Sequence, residues 1–202
     1  MIVCATVAFG SPPLPSSPRL QRVMMHMLKG HLTGIARGTI VDLGSGWGGL
    51  ARQLAKRFPR HQIVGYERST LPWLVSRIWL LMVPQANLQF RHADFMKSDV
   101  SDVTLAVCYL MPGIMVKLAD KLLRELPPGA LVLSNTFALP GWQPIDQRVG
   151  PDLFASRVYL YAVPAQLAER SIAEVRSHGP TRQTFQHPER DLFVCEPVDD
   201  SR

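Results

Sequence analysis

Residues 39–49 read TIVDLGSGWGG, and the fold follows from this stretch. Thr39 to Leu43 is a β-branched and apolar run broken only by Asp42, the pattern of a short buried strand. Gly44, Gly46, Gly48 and Gly49 then form a loop in which the chain can turn sharply and a ligand can approach backbone. Leu50, Leu54 and Phe58 recur every four residues, a helical spacing that Pro59 ends. Strand, glycine loop and helix in this order open an α/β unit.

The alternation continues outward. Gln62 to Tyr66 (QIVGY) is a second strand running into Glu67. Ser69 or Thr70 caps a helix with Pro72 in its first turn, extending to about Met82. Asn87 to Arg91 and Val103 to Cys108 read as the third and fourth strands. Pro112 opens a helix with Met115, Leu118, Leu122, Leu123 and Leu126 inward, stopped by Pro127-Pro128-Gly129 before a fifth strand at Ala130 to Ser134. Arg148 to Gly150 and Arg157 to Val163 are two further strands with no clear helix between them, which predicts an antiparallel hairpin. Upstream, Ser17 and Pro18 start a helix over residues 19–32, whose methionines fill core space. The expected fold is α/β: a doubly wound, Rossmann-like sheet of seven strands, mostly parallel, with an antiparallel C-terminal edge hairpin. Residues 1–34 are expected to be an extended lead-in and helix, 35–164 the ligand-binding domain, and 165–202 a polar extension with a short helix near 165–177 and a strand at 192–195.

Composition agrees with one folded domain. The chain has 202 residues, 47% hydrophobic and 19% charged, which excludes disorder throughout. Cys4, Cys108 and Cys195 are too scattered for a disulfide framework, and no Cys-x-x-Cys or His-Glu-x-x-His pattern indicates a metal site. Residues 1–100 carry 12 basic and 4 acidic residues, whereas residues 101–202 carry 10 and 12. The positive excess therefore belongs to the N-terminal half, where it can steer RNA or anionic lipid or simply form a solvated surface. No apolar run reaches the ~18–20 residues of a membrane helix. The apolar head, Met1 to Phe9, lacks the basic region of a secretory signal and is expected to remain on the chain. These features suit a cytoplasmic location with room for peripheral membrane contact.

In such sheets ligands bind at the carboxyl ends of the strands. Gly44-x-Gly46-x-x-Gly49 and Glu67 fit a nucleotide site for either NAD or S-adenosylmethionine. Charge separates the two. A pyrophosphate over the glycine loop would lie close to Asp42, whereas the ammonium and sulfonium of S-adenosylmethionine gain from an acidic neighbour. Glu67 can accept from ribose hydroxyls, and Asp94 from an adenine amino group with Phe95 against the ring. The expected cofactor set is Asp42, Gly44, Ser45, Gly46, Trp47, Gly48, Glu67, Asp94, Phe95 and Cys108. Tyr109 and Trp142 are the candidates for a substrate channel, since aromatic faces suit an amine or its methylated cation. Cys108 reads more readily as a small buried hydrophobe than as a nucleophile.

The motif VDLGSGWG, the strand IVGYE and the segment NLQFRHADF together resemble class I S-adenosylmethionine-dependent methyltransferases. PLPSSPRLQRVMMHML, GYERSTLPWLVSR, MPGIMVKLADKLLRELPPGALVLSNTFALPGWQP and VYLYAVP add a closer resemblance. They are similar to the protein-lysine N-methyltransferases that include the mitochondrial enzymes acting on the ATP synthase c-subunit and the ADP/ATP carrier. The likeness covers about residues 12–164 and departs from that family at Trp47 and Gly49 in the first loop. It implies S-adenosyl-L-methionine as cofactor and methyl transfer to a neutral lysine amine of a protein, with a small membrane protein as the favoured partner. A nucleic acid is disfavoured, because CYLMP after the fourth strand lacks the Asn/Asp-Pro-Pro-aromatic wall that holds a flipped base. RNA or small-molecule methylation and non-catalytic cofactor binding are the alternatives.

Overall fold

In the computed structural model, residues 17–32, 37–151 and 155–164 are described, and the expectations for the head and for residues 165–202 lie outside them. The elements are α1 (Pro18–Leu32), β1 (Thr39–Leu43), α2 (Gly49–Arg57), β2 (Gln62–Glu67), α3 (Thr70–Met82), β3 (Leu88–His92), a 3-10 turn (Phe95–Lys97), β4 (Val103–Cys108), α4 (Pro112–Glu125), β5 (Leu131–Asn135), β6 (Asp146–Val149) and β7 (Arg157–Ala162). The seven strands form one sheet in the order β3-β2-β1-β4-β5-β7-β6. All neighbours from β3 to β5 are parallel, and β7 runs antiparallel to both β5 and β6. The hairpin therefore closes the sheet with its second strand turned inward and β6 at the edge. The chain steps outward from β1 to β3 and returns at β4, which sets the topological switch, and hence the ligand crevice, between β1 and β4.

Strand alternation divides the core in two. Ile40, Ile63, Phe90, Leu105 and Leu133 face α1 and α2, with Trp73 and Leu80 of α3 packed at the border. Val41, Leu43, Val64, Val103, Ala106 and Val132 face α4, which buries Met115, Leu118, Ala119 and Leu122 at helical spacing. Each fully buried leucine contributes about 2–3 kcal/mol. The Ser17 hydroxyl accepts from the Leu20 N–H (3.2 Å), so α1 starts at the cap its sequence predicts. At the other end of the first βα unit, the Asn87 amide donates to the carbonyls of Ala55 and His61 at 3.1 Å each. That bond satisfies acceptors left over where α2 stops and ties the loop to β3. Lys121 is buried on α4 because its ammonium donates to the Ser98 carbonyl and to Glu125.

Candidate active site

The glycine loop is anchored at both ends of its turn. The Tyr66 carbonyl at the end of β2 accepts from Gly44 N–H (3.0 Å) and Ser45 N–H (2.8 Å). Glu67, one residue on, accepts from Gly46 N–H at Oε2 (2.8 Å) and from Ser69 N–H at Oε1 (2.7 Å). One buried carboxylate thus holds the glycine loop and the start of α3 together, while each oxygen keeps a lone pair for another donor.

Beneath the loop lies Phe90 of β3, which sequence reasoning did not single out. A Cβ on Gly65 would meet its ring at 2.7 Å, and a Cβ on Gly48 would meet it at 2.5 Å. Gly48 also has φ +76°, in the left-handed region, and a Cβ there would sit 3.0 Å from that of Ser76. The loop can lie this low only because both positions lack a side chain. Gly48→Ala is expected to cost about 2–4 kcal/mol through strain and overpacking, read as a lower urea midpoint at unchanged slope.

Asp42 projects from β1 on the α2 side and is 3% exposed. Its Oδ2 has no partner, and neither does the buried Ser45 hydroxyl. Burial and then the neighbouring Glu67 charge push the Asp42 carboxyl up to about 7, against a smaller opposing contribution from the Ala51 N–H. An unpaired, desolvated carboxylate beside a second one is a site prepared for a cation.

Across the crevice, Gly44, Glu67, Arg68, Asp94, Phe95, Met96 and Ile114 line a pocket. Asp94 Oδ1 accepts from Met96 N–H (3.0 Å), and Oδ2 lies 3.7 Å from the Arg68 guanidinium. Phe95 is buried, and Met96 and Ile114 complete an apolar wall beside the Asp94 carboxylate. Ile114 stands in the first turn of α4, where the proline-initiated start was legible but the direction of the side chain was not.

The structure brings Asp42, Gly44, Ser45, Gly46, Gly48, Glu67, Asp94 and Phe95 to the carboxyl edge around the switch. Trp47 is at the exposed tip of the loop, where its carbonyl accepts from Arg52 (3.3 Å). Tyr109 is half-buried just past the end of β4. Cys108 ends β4 with its side chain in the α4 core, where it donates to the Ser134 hydroxyl at 3.6 Å and burial pushes its thiol up to about 12. Trp142 packs edge-to-face on Tyr161 at 5.9 Å, against the same core. Thr136, which the sequence did not flag, follows β5 with φ +69°, a conformation rare for a β-branched residue.

The model of the ANTKMT methyltransferase domain matches residues 42–146, the span from Asp42 through the start of β6. The chain belongs to this family. It is 33% identical over 138 residues to the adenine nucleotide translocase lysine N-methyltransferase of Mus musculus, covering 66% of this chain and 56% of that protein. It is 28% identical to a protein-lysine N-methyltransferase of Saccharolobus islandicus (strain REY15A), covering 75% of this chain and 95% of that one. The chain spans just over half the length of the mammalian relatives it matches. Among solved structures, an RNA methyltransferase from Salinibacter ruber in complex with S-adenosyl-L-homocysteine superposes with TM-score 0.66 at 26% identity, covering 75% of this chain and 95% of that chain. The ANTKMT domain is therefore of the class I, S-adenosylmethionine-dependent type, and the orphan carboxylate of Asp42 fits that cofactor's ammonium. Among the described residues, no helix is long and apolar enough to cross a membrane.

Proposed function

We propose that this domain transfers a methyl group to the side-chain amine of a lysine in a protein. The observation that carries the reading is that the family match spans the whole carboxyl-edge site, and that relatives over this stretch are named as lysine N-methyltransferases. When bound, S-adenosylmethionine supplies an electrophilic methyl on a sulfonium.

The chain's own residues do the rest. Asp42 would hold the ammonium end, with the Ser45 hydroxyl, which has no partner, beside it. Glu67 would accept from the ribose hydroxyls on its remaining lone pairs. Asp94 would accept from the adenine amino group beside the wall of Phe95, Met96 and Ile114. Tyr109, past β4, and Trp142, which packs on Tyr161, are the side chains assigned to the approach of the acceptor. An incoming lysine, ordinarily titrating near about 10.4, must shed its proton first. An aromatic, water-poor approach favours the neutral amine, and the cationic neighbour does so further.

A small membrane protein is the favoured substrate, met from the cytoplasm at a membrane surface. The name of the mouse relative, which gives a translocase as its substrate, supports a membrane protein. RNA is the second reading, favoured by the positive N-terminal half and by the name of the Salinibacter ruber neighbour. The test is transfer of labelled methyl from S-adenosylmethionine into a cell extract divided into soluble protein, membrane, RNA and small-molecule fractions. Label recovered as methyl-lysine from a membrane-fraction protein is the expected result. Label in RNA selects the second reading, and label in neither protein nor RNA overturns both.

A further inference from the structure

Helix α3 presents an outward face that, apart from the Arg52 guanidinium over Trp79, nothing among the described residues covers. Leu71, Leu74, Ile78 and Trp79 are each about half exposed, and Leu81 and Met82 are 76% and 69% exposed. Six large apolar side chains on a helix of 13 residues form one continuous stripe, with Pro72 and Ser76 buried on the opposite side. Scattered apolar residues need no explanation, but a contiguous patch marks a surface that meets something apolar.

Charge identifies the occupant. From Gly44 to Ala93 the sequence carries seven lysines and arginines and a single acidic residue, the buried Glu67; of the seven, Arg91 lies over Tyr66 on the α4 side and Arg68 is 3.7 Å from Asp94, so the cationic flank of α3 rests on Arg77 and Arg52. Arg77 flanks the stripe from α3 itself, and Arg52 of α2 stacks over Trp79 with its guanidinium carbon 5.4 Å from the ring centroid. A second copy of this face would set these arginines against their equivalents with no exposed carboxylate in this stretch to pair them. An anionic lipid surface offers hydrocarbon to the stripe and phosphate to its cationic flank, and the interfacial ring of Trp79 suits the boundary between them.

We propose that α3 is a peripheral docking surface for anionic membrane. Because the Ser69 N–H just before α3 is bonded to Glu67, the docked helix would hold the cofactor crevice at the membrane surface, within reach of a lysine at that boundary. The inference goes beyond the transfer reaction and is read without it.

The experiment is co-sedimentation of the full chain, without cofactor, with phosphatidylcholine vesicles containing or lacking phosphatidylglycerol. Partition onto the anionic vesicles is expected to be at least about tenfold stronger and to weaken with added salt. The double variant Ile78→Glu, Met82→Glu is expected to lose most of that partition while keeping its circular dichroism, melting temperature and S-adenosylmethionine affinity, since both side chains are exposed. Leu81→Glu alone provides a second, milder variant. Equal partition onto both vesicle types, or partition unchanged in the variants, overturns the proposal. So does a dimer in analytical ultracentrifugation that dissociates in the double variant while the parent chain ignores lipid, which would assign the face to a second copy.

Discussion

Glu67→Ala is expected to reduce S-adenosylmethionine binding by more than about a hundredfold, each charge-assisted bond it removes being worth about 1.5–3 kcal/mol. The carboxylate accepts from Gly46 N–H and Ser69 N–H, and alanine leaves both donors without a partner. Unsatisfied donors at a loop of three positive-φ glycines would let the turn relax away from the geometry that shapes the pocket. The proposed acceptor for the ribose hydroxyls is lost in the same step. Titration calorimetry measures the affinity, and a change smaller than about threefold would show that neither bond contributes. Glu67→Gln distinguishes the two roles. Its amide keeps one acceptor oxygen but turns an NH2 toward one of the two backbone donors, so it is expected to bind between wild type and alanine. Either substitution also removes the charge that contributes to raising Asp42, and should shift the pH dependence of binding to lower pH.

The strand and helix order was legible in the sequence because each element carries its own signal. The apolar run before the glycines, the four-residue spacing of Leu50, Leu54 and Phe58, and the prolines at 72 and 112 place elements within two residues of those observed. Pairing was less legible, because sheet order is set by long-range packing. Nothing local to Arg157–Ala162 says that β7 enters between β5 and β6. The carboxyl-edge residues were legible for the same reason as the strands: they follow strand ends. Which way a side chain points at such an end depends on parity and register. Asp42 pairs with Val107 and faces α2, while Cys108 pairs with Leu43 and faces α4. One residue of offset separates a carboxylate on the α2 side from a thiol in the α4 core. The contact of Phe90 with Gly65 and Gly48 was illegible on the same ground, since it requires β2 and β3 in register and the loop folded over both.

Asp42→Asn is expected to stabilise the cofactor-free protein at pH 8 while weakening S-adenosylmethionine binding by about ten- to a hundredfold. Burial and Glu67 raise the carboxyl from 3.8 to about 7, so between these values the folded chain binds a proton that the unfolded chain has released. Stability from this group is therefore full below pH 4, falls as pH rises toward 7, and stays reduced above it, by on the order of 4 kcal/mol. Asparagine has nearly the same shape and no charge to desolvate, and its oxygen can still accept from the Ala51 N–H. Its melting temperature should exceed that of wild type at pH 8, with the difference closing as the pH is lowered toward 4. Binding should behave in the opposite way. An ammonium opposite Asp42 favours the carboxylate, so wild-type affinity should rise with pH up to about 7, with proton uptake by the buffer at pH 6 and little at pH 9. The asparagine variant should show neither dependence. If it instead melts below wild type at pH 8 without ligand, Asp42 is a structural partner within the loop. In that case the orphan oxygen is not a cofactor site held at the expense of the fold.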